Sequence, residues 1–375
     1  MELREKVFRV ALNHFPEVGA VRTRILLEAF GSIEAAWQAR ADEIAVLPRF
    51  GPKVAKALQD FCRKHEPEDL YQQVLDKDLQ LVFLGEPDYP PLLANIYDPP
   101  YLLYWRGQPS AWRRLSRCVA IVGTREATSY GLKIARRLGE TLAQAGVTVV
   151  SGMALGIDAA AHEGALATSG LTVAVLGSGV DVPSPLSHKT LYQKIVSQGL
   201  VISELPPGHP PQTWTFPMRN RLVSGLSQGL IVVEAGLKSG TLITVDCANE
   251  QGREVFAVPG SISSPQSSGT HALIQQGAHL LTHPDEVLTA LGWLSTPSQP
   301  ASAPVQTALP LEAIGLTKAE EQVYVLLSEQ PRHIDALVSQ SEQEPQQFSG
   351  ILTLLELKGL AEQLPGKLYK KKSHF

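Results

Sequence analysis

CVAIVG at residues 118–123 and VTVVSG at 147–152 are short β-branched runs, each ending in glycine. Four more follow at similar intervals: TVAVLGSG (172–179), LVISEL (200–205), LIVVEAG (230–236) and EVFAVPG (254–260). All six are continuously apolar rather than alternating, and a helical pattern follows each. Strands of that kind are buried on both faces, and helices between them connect parallel neighbours. These residues predict an α/β fold with a doubly wound, mostly parallel sheet.

Working outward, LVFLGEPDYPPLLANIYDPPYLLYWRG (81–107) holds two strand-like runs around a proline-rich turn, and it extends the sheet domain to 79–291 through a 79–115 segment. Residues 1–66 have helical periodicity with two apolar-Gly hairpins, in FPEVGAVRTRILLEAFG (15–31) and LPRFGPKVAKAL (47–58). STPSQPASAPVQTALP (295–310) is a linker by composition. Helical periodicity returns over 316–370, closing on LAEQLPGKLYKKK, which predicts a third domain.

With 33 basic and 37 acidic residues among 375, the net charge of −4 excludes polycation behaviour, so any nucleic-acid contact must be local. Cys62, Cys118 and Cys247 are scattered and form no CxxC pair, which suits a reducing compartment and argues against a disulfide scaffold. The first residues, MELREKVFRVALNHF, mix charge into the apolar run and are no signal peptide. No apolar run is long enough to span a bilayer, so a cytoplasmic protein without membrane insertion is expected.

In an open parallel sheet ligands bind beyond the carboxyl ends of the strands. Those ends read GTRE (123–126), SGMALGID (151–158), GSGVD (177–181), EAGLKSGT (234–241) and PGS (259–261). Glycines such as Gly123, Gly152 and Gly240 would let backbone approach a ligand, and the helix starts beyond them favour phosphate. Ser151, Ser239 and Thr241 add hydroxyls; Arg125 and Lys238 add cations. Neither GxGxxG nor GxxxxGK[ST] occurs, which disfavours a dinucleotide enzyme and a Walker-type ATPase.

After the fourth run comes FPMRNRLVSGLS (216–227), with Pro217 suited to the first helical position. A helix start is already positive, so arginine there has the wrong sign unless an anion arrives. Arg219 and Arg221 would join Arg125 and Lys238 around one crevice, with Lys189 a fifth cation and Phe216 and Trp214 alongside. Cations that hold a backbone and aromatics that stack bases are the components of single-strand recognition. The bland alternative pairs either arginine with Glu204 or Glu234.

VAIVGTREATSYG (119–131), SGMALGIDAAAHEGAL (151–166), VAVLGSGVDVPSP (173–185), SELPPG (203–208), FPMRNRLVSGLS, VVEAGLKSGTLITVDCANEQGREVFAVPG (232–260) and GTHALIQQGA (269–278) together resemble the DNA-processing protein A family (DprA, or Smf). The resemblance implies a Rossmann-like central domain that binds single-stranded DNA, protects it during natural transformation and loads RecA recombinase. It also implies homodimers, no cofactor and no enzymatic activity. The DNA contacts it implies are Arg125, then Phe216, Arg219, Asn220 and Arg221, then Lys238, Ser239, Gly240 and Thr241. The N-terminal region is similar to a helix-hairpin-helix, SAM-like domain. There Glu17 and Arg49 replace the first glycine of the phosphate-gripping hairpin, which favours packing over DNA contact. The C-terminal segment is similar to a winged helix. Its would-be recognition helix displays Glu344, Gln346, Gln347, Glu356 and Lys358, which suits a protein partner better than a major groove.

The competing reading is an enzyme. VVEAGLKSGT resembles the glycine-rich loop of the LOG-type nucleotide phosphoribohydrolases, with Asp158, His162 and Glu234 as acid, base and ribose-binding groups. Against it, Glu234 precedes the loop, whereas those hydrolases carry their glutamate after it. No HExxH or acidic metal cluster is present.

Overall fold

The computed structural model describes residues 1–77, 79–168, 170–294, 317–328, 332–341, 343, 345–364 and 366–371; the linker expected at 295–310 lies outside them. The chain divides into two compact units, Met1–Pro297 and Ser298–Phe375.

The six apolar runs form β3 (Cys118–Val122), β4 (Thr148–Ser151), β5 (Thr172–Val175), β6 (Leu200–Ser203), β7 (Gly229–Val232) and β8 (Glu254–Ala257), preceded by β1 (Gln80–Phe83) and β2 (Leu102–Gly107) and followed by β9 (His279–Leu280). The sheet order is β1-β2-β6-β5-β4-β3-β7-β8-β9. From β6 through β9 every pairing is parallel, with Val119 opposite Val149 on one side and Gly229 on the other. β2 adds antiparallel to β6, and β1 to β2. The apolar runs bury both faces because side chains alternate across a strand. Ala120, Val122, Val150 and Leu230 pack under the Thr215–Gly225 and Thr241–Glu250 helices, meeting Leu222, Val223, Val245 and Ala248. Val119, Ile121, Val149 and Ile231 face the Ser129–Gln144 and Ile157–Leu166 helices through Leu138, Leu142, Ala161 and Ala165. The chain runs outward from β3 to β6 and then returns to β7 on the other side of β3. The β3/β7 boundary is therefore the topological switch point, where a crevice opens at the carboxyl ends.

The N-terminal helices Leu3–Asn13, Ala20–Phe30, Ile33–Gln38, Ala41–Ala45 and Gly51–Lys64 enclose their own core of Phe8, Leu12, Leu26, Ile33 and Leu58. They are not set apart from the sheet. Val10 and Val74 share a second core with Phe83, Leu102 and Tyr104, and the Tyr104 hydroxyl donates to Asn13 Oδ1 at 2.9 Å. Arg49 takes φ +66°, the left-handed turn that glycine usually fills. Arg22 bridges the two hairpins, donating from Nε to the Arg49 carbonyl at 2.9 Å and from Nη1 to the Glu17 carbonyl at 2.5 Å. These hairpins thus carry an arginine clamp on their carbonyls.

In the second unit the Lys318–Leu326, Ile334–Val338 and Pro345–Leu357 helices precede a hairpin of β11 (Ala361–Leu364) and β12 (Leu368–Lys371), with β10 (Arg332–His333) on the outer side of β12. Phe348, Leu352 and Leu355 form its buried stripe with Val323, Leu337 and Tyr369, and Ile351 packs at the margin. This is a winged-helix arrangement.

Candidate nucleic-acid interface

A cavity of about 660 Å³ occupies the switch point, its wall built from the ends of β3, β4 and β7 and from the first turns of two helices. Gly123, Arg125, Gly152, Phe216, Arg219, Asn220, Lys238, Ser239, Gly240 and Thr241 all line it. Arg125, Arg219 and Lys238 are the cations on that wall among the described residues, set against Glu126 and Asp158.

The FPMRNR helix begins at Thr215, so Pro217 sits third rather than first, where a missing N–H is still harmless. Thr215 anchors the turn by donating its hydroxyl to the Gly177 carbonyl at 2.5 Å. The first turn carries no acid and no side-chain cap. Phe216 follows, half-buried, and the Arg125 guanidinium lies 5.2 Å from its ring centroid. Arg125 and Lys238 are exposed and can reach a ligand.

Arg219 differs from them. It is only 6% exposed, and its Nη1 donates to the Gly152 carbonyl at 2.7 Å and to the Val175 carbonyl. Burial lowers its pKa, and nearby Asp158 opposes that shift. Asp158, itself pushed up by burial, accepts from the Gly152 amide at 3.1 Å. Met153 at φ +56° turns the chain so that His188 Nδ1 meets its carbonyl at 3.0 Å. Such left-handed residues cost about 1–3 kcal/mol and persist only where surrounding contacts enforce them. Arg219 is thus the guanidinium that ties β4, β5 and the helix start together beneath the cavity.

The structure sets several of the expected contact residues apart from the cavity or closes them off. Arg221 is outside the cavity: its Nε lies 3.2 Å from Asp98 and its Nη2 pairs with Glu204, so for this residue the bland reading holds. Burial pushes the Glu204 carboxyl up, and Arg221 opposes that. Ser151 is fully buried and donates to the Ile121 carbonyl at 2.6 Å, so its hydroxyl is closed to a ligand. Lys189, at the start of the Lys189–Gln198 helix, is exposed but is not on the cavity wall. Trp214 lines a different cavity and meets His209 edge-on at 5.9 Å.

The glycines also divide. A Cβ on Gly123 would strike Ile157 and the Glu234 carbonyl, one on Gly152 the Arg219 guanidinium, and one on Gly177 the Phe216 ring. These three make room for the protein itself. Gly240 meets nothing within 4 Å and faces open space. Ile243 and Thr244 on the wall went unread in the sequence, although Thr244 lies three residues beyond Thr241 on the same helix face.

The hydrolase constellation does not assemble. His162 is buried away from the cavity; it contacts Thr172 Oγ1 at 2.6 Å, and burial lowers its pKa to about 3. Thr172 donates its own proton to the Val149 carbonyl, so His162 Nδ1 is the donor to Thr172. Glu234 accepts from the Thr128 amide at 2.9 Å and its hydroxyl at 2.5 Å, holding the residue that caps the Ser129–Gln144 helix. Of the three, only Asp158 lines the cavity.

The family model for DNA recombination-mediator protein A matches residues 80–292, and that for the DprA winged helix domain matches 298–367. Protein Smf of Synechocystis is 32% identical, spanning 98% of this chain and 99% of its own. Protein Smf of Escherichia coli is 40% identical over 74% of each chain. The X-ray structure of DNA processing protein A from Streptococcus pneumoniae superposes with a TM-score of 0.66 at 33% identity, covering 77% of this chain and 98% of that one. A solved structure of DNA processing protein A from Helicobacter pylori, described as giving insight into a unique single-stranded DNA binding mode, superposes with a TM-score of 0.51 at 31% identity over 56% of this chain and 95% of its own. With a family model covering more than half its length and relatives of this similarity, the chain belongs to the DNA-processing protein A (DprA/Smf) family.

Proposed function

We propose that this protein binds single-stranded DNA at the switch-point cavity, shields it, and passes it to a RecA-type recombinase when DNA is taken up in natural transformation. The carrying observation is the wall itself: two exposed cations, Arg125 and Lys238, flank an aromatic ring at an uncapped helix start, with Gly240 open beside them. Phosphates would run past Arg125, Lys238 and the Ser239–Thr241 turn, and a base would stack on Phe216. Such contacts carry little sequence information, so preference among bases should be slight. The relative from H. pylori, whose structure is described by its single-stranded DNA binding mode, supports this reading. The recombinase, the transformation role and a homodimer with two cavities side by side rest on the family resemblance. Cytoplasmic action is supported by three unpaired cysteines, and among the described residues no helix is long and apolar enough to cross a membrane.

Fluorescent oligo-dT titrated at two salt concentrations should bind with an affinity that drops steeply as salt rises. Incubation with nucleoside monophosphates tests the rival: release of free base would establish the phosphoribohydrolase reading instead.

A further inference from the structure

Trp214 and Met218, four residues apart, line a second cavity of about 110 Å³, while Phe216, Arg219 and Asn220 line the first. The start of one helix thus presents an aromatic ring to each of two neighbouring cavities, since residues two apart point about 200° from each other around the axis. The second cavity is closed on its far side by the N-terminal hairpin at Pro16 and by Tyr101. No lysine or arginine lines it among the described residues, and Glu204 on its wall is already paired with Arg221.

What it offers is a surface for a flat ring. Trp214 is 43% exposed and meets the His209 ring in a T-shaped contact with centroids 5.9 Å apart. An indole ring and a thioether suit a nucleobase, which stacks on both.

We propose that this cavity takes a base of the bound strand close to the one on Phe216, so that the DNA passes over the helix start with its phosphates on the cationic side. The inference rests on the single-strand reading of the first cavity. It gives the N-terminal hairpin a part in binding through the wall it supplies, without any phosphate contact of its own.

The full chain is titrated with oligo-dT, and separately crosslinked by ultraviolet light to oligo-dT carrying 5-iodouracil, with the modified residue located by fragment sequencing. Trp214→Ala should weaken binding about five-fold or more, the contribution of one base–aromatic stack. Trp214→Phe should retain most of the affinity, and crosslinks should fall on Trp214 as well as Phe216. Wild-type binding with no Trp214 crosslink and unchanged affinity in Trp214→Ala would overturn this inference alone, and would leave the cavity to an apolar protein side chain. No oligo-dT binding by the wild type would overturn the underlying reading. If Trp214→Ala melts early, Trp214→Phe and the crosslink still decide.

Discussion

Three arginines that look alike in the sequence have three different jobs, and the difference is in what each one touches. Arg125 is exposed over the Phe216 ring, Arg219 is buried against two carbonyls, and Arg221 is spent on Glu204 and Asp98. Arg219→Ala should therefore cost stability, about 2–4 kcal/mol by urea denaturation, because the Gly152 and Val175 carbonyls lose their donor inside the protein. Arg125→Ala should leave the denaturation midpoint unchanged and weaken DNA binding. Arg221→Ala should destabilise by about 3 kcal/mol near neutral pH, since it leaves Glu204 buried and unpaired. The sign of the pH dependence follows from the direction of the Glu204 shift. Its folded value is raised above the ordinary 4.5, so stability from that group is present below 4.5 and is lost as pH rises through the folded value. Removing Arg221 raises the folded value further, so the deficit should shrink between pH 7 and pH 5. A deficit that is flat or grows on acidification would contradict the pairing. The Arg221–Glu204 pair was among the alternatives the sequence left open; Asp98, far away in the chain, was not legible, and only the fold brings it to Arg221.

At the scale of the element, the strands were readable because burial on both faces leaves no polar alternation to misread, and β3 to β8 coincide with the six apolar runs, β7 starting one residue earlier at Gly229. The strand ends were read less well. A glycine in the sequence announces a missing Cβ but not what fills the space, and protein atoms fill it at Gly123, Gly152 and Gly177. Gly240 has ordinary helical angles and open surroundings. Gly240→Ala should keep or slightly raise the thermal midpoint while lowering affinity for oligo-dT, as a methyl enters the ligand's space. Gly152→Ala should do the reverse in kind, lowering stability by displacing the Arg219 guanidinium. Equal effects of the two substitutions on stability would show that the cavity floor and its rim have been confused. The aromatic pair was misplaced for a related reason. Trp214 and Phe216 are neighbours in sequence, yet the helix start sends them to different cavities.

Across the whole molecule, the cavity belongs entirely to the first compact unit, and the second unit has its own core. A chain ending at residue 294 should fold and bind oligo-dT within about two-fold of the full-length protein. That would leave the winged helix to a protein partner. The central claim is that Arg125 and Lys238 hold phosphate of a single strand, and its most direct test is the salt dependence of binding. For the wild type, the logarithm of the oligo-dT association constant should fall linearly with the logarithm of salt concentration. Each of Arg125→Ala and Lys238→Ala should flatten that line by about 0.7, the increment for one contact on a single strand. Slopes identical to the wild type in both variants would contradict the account.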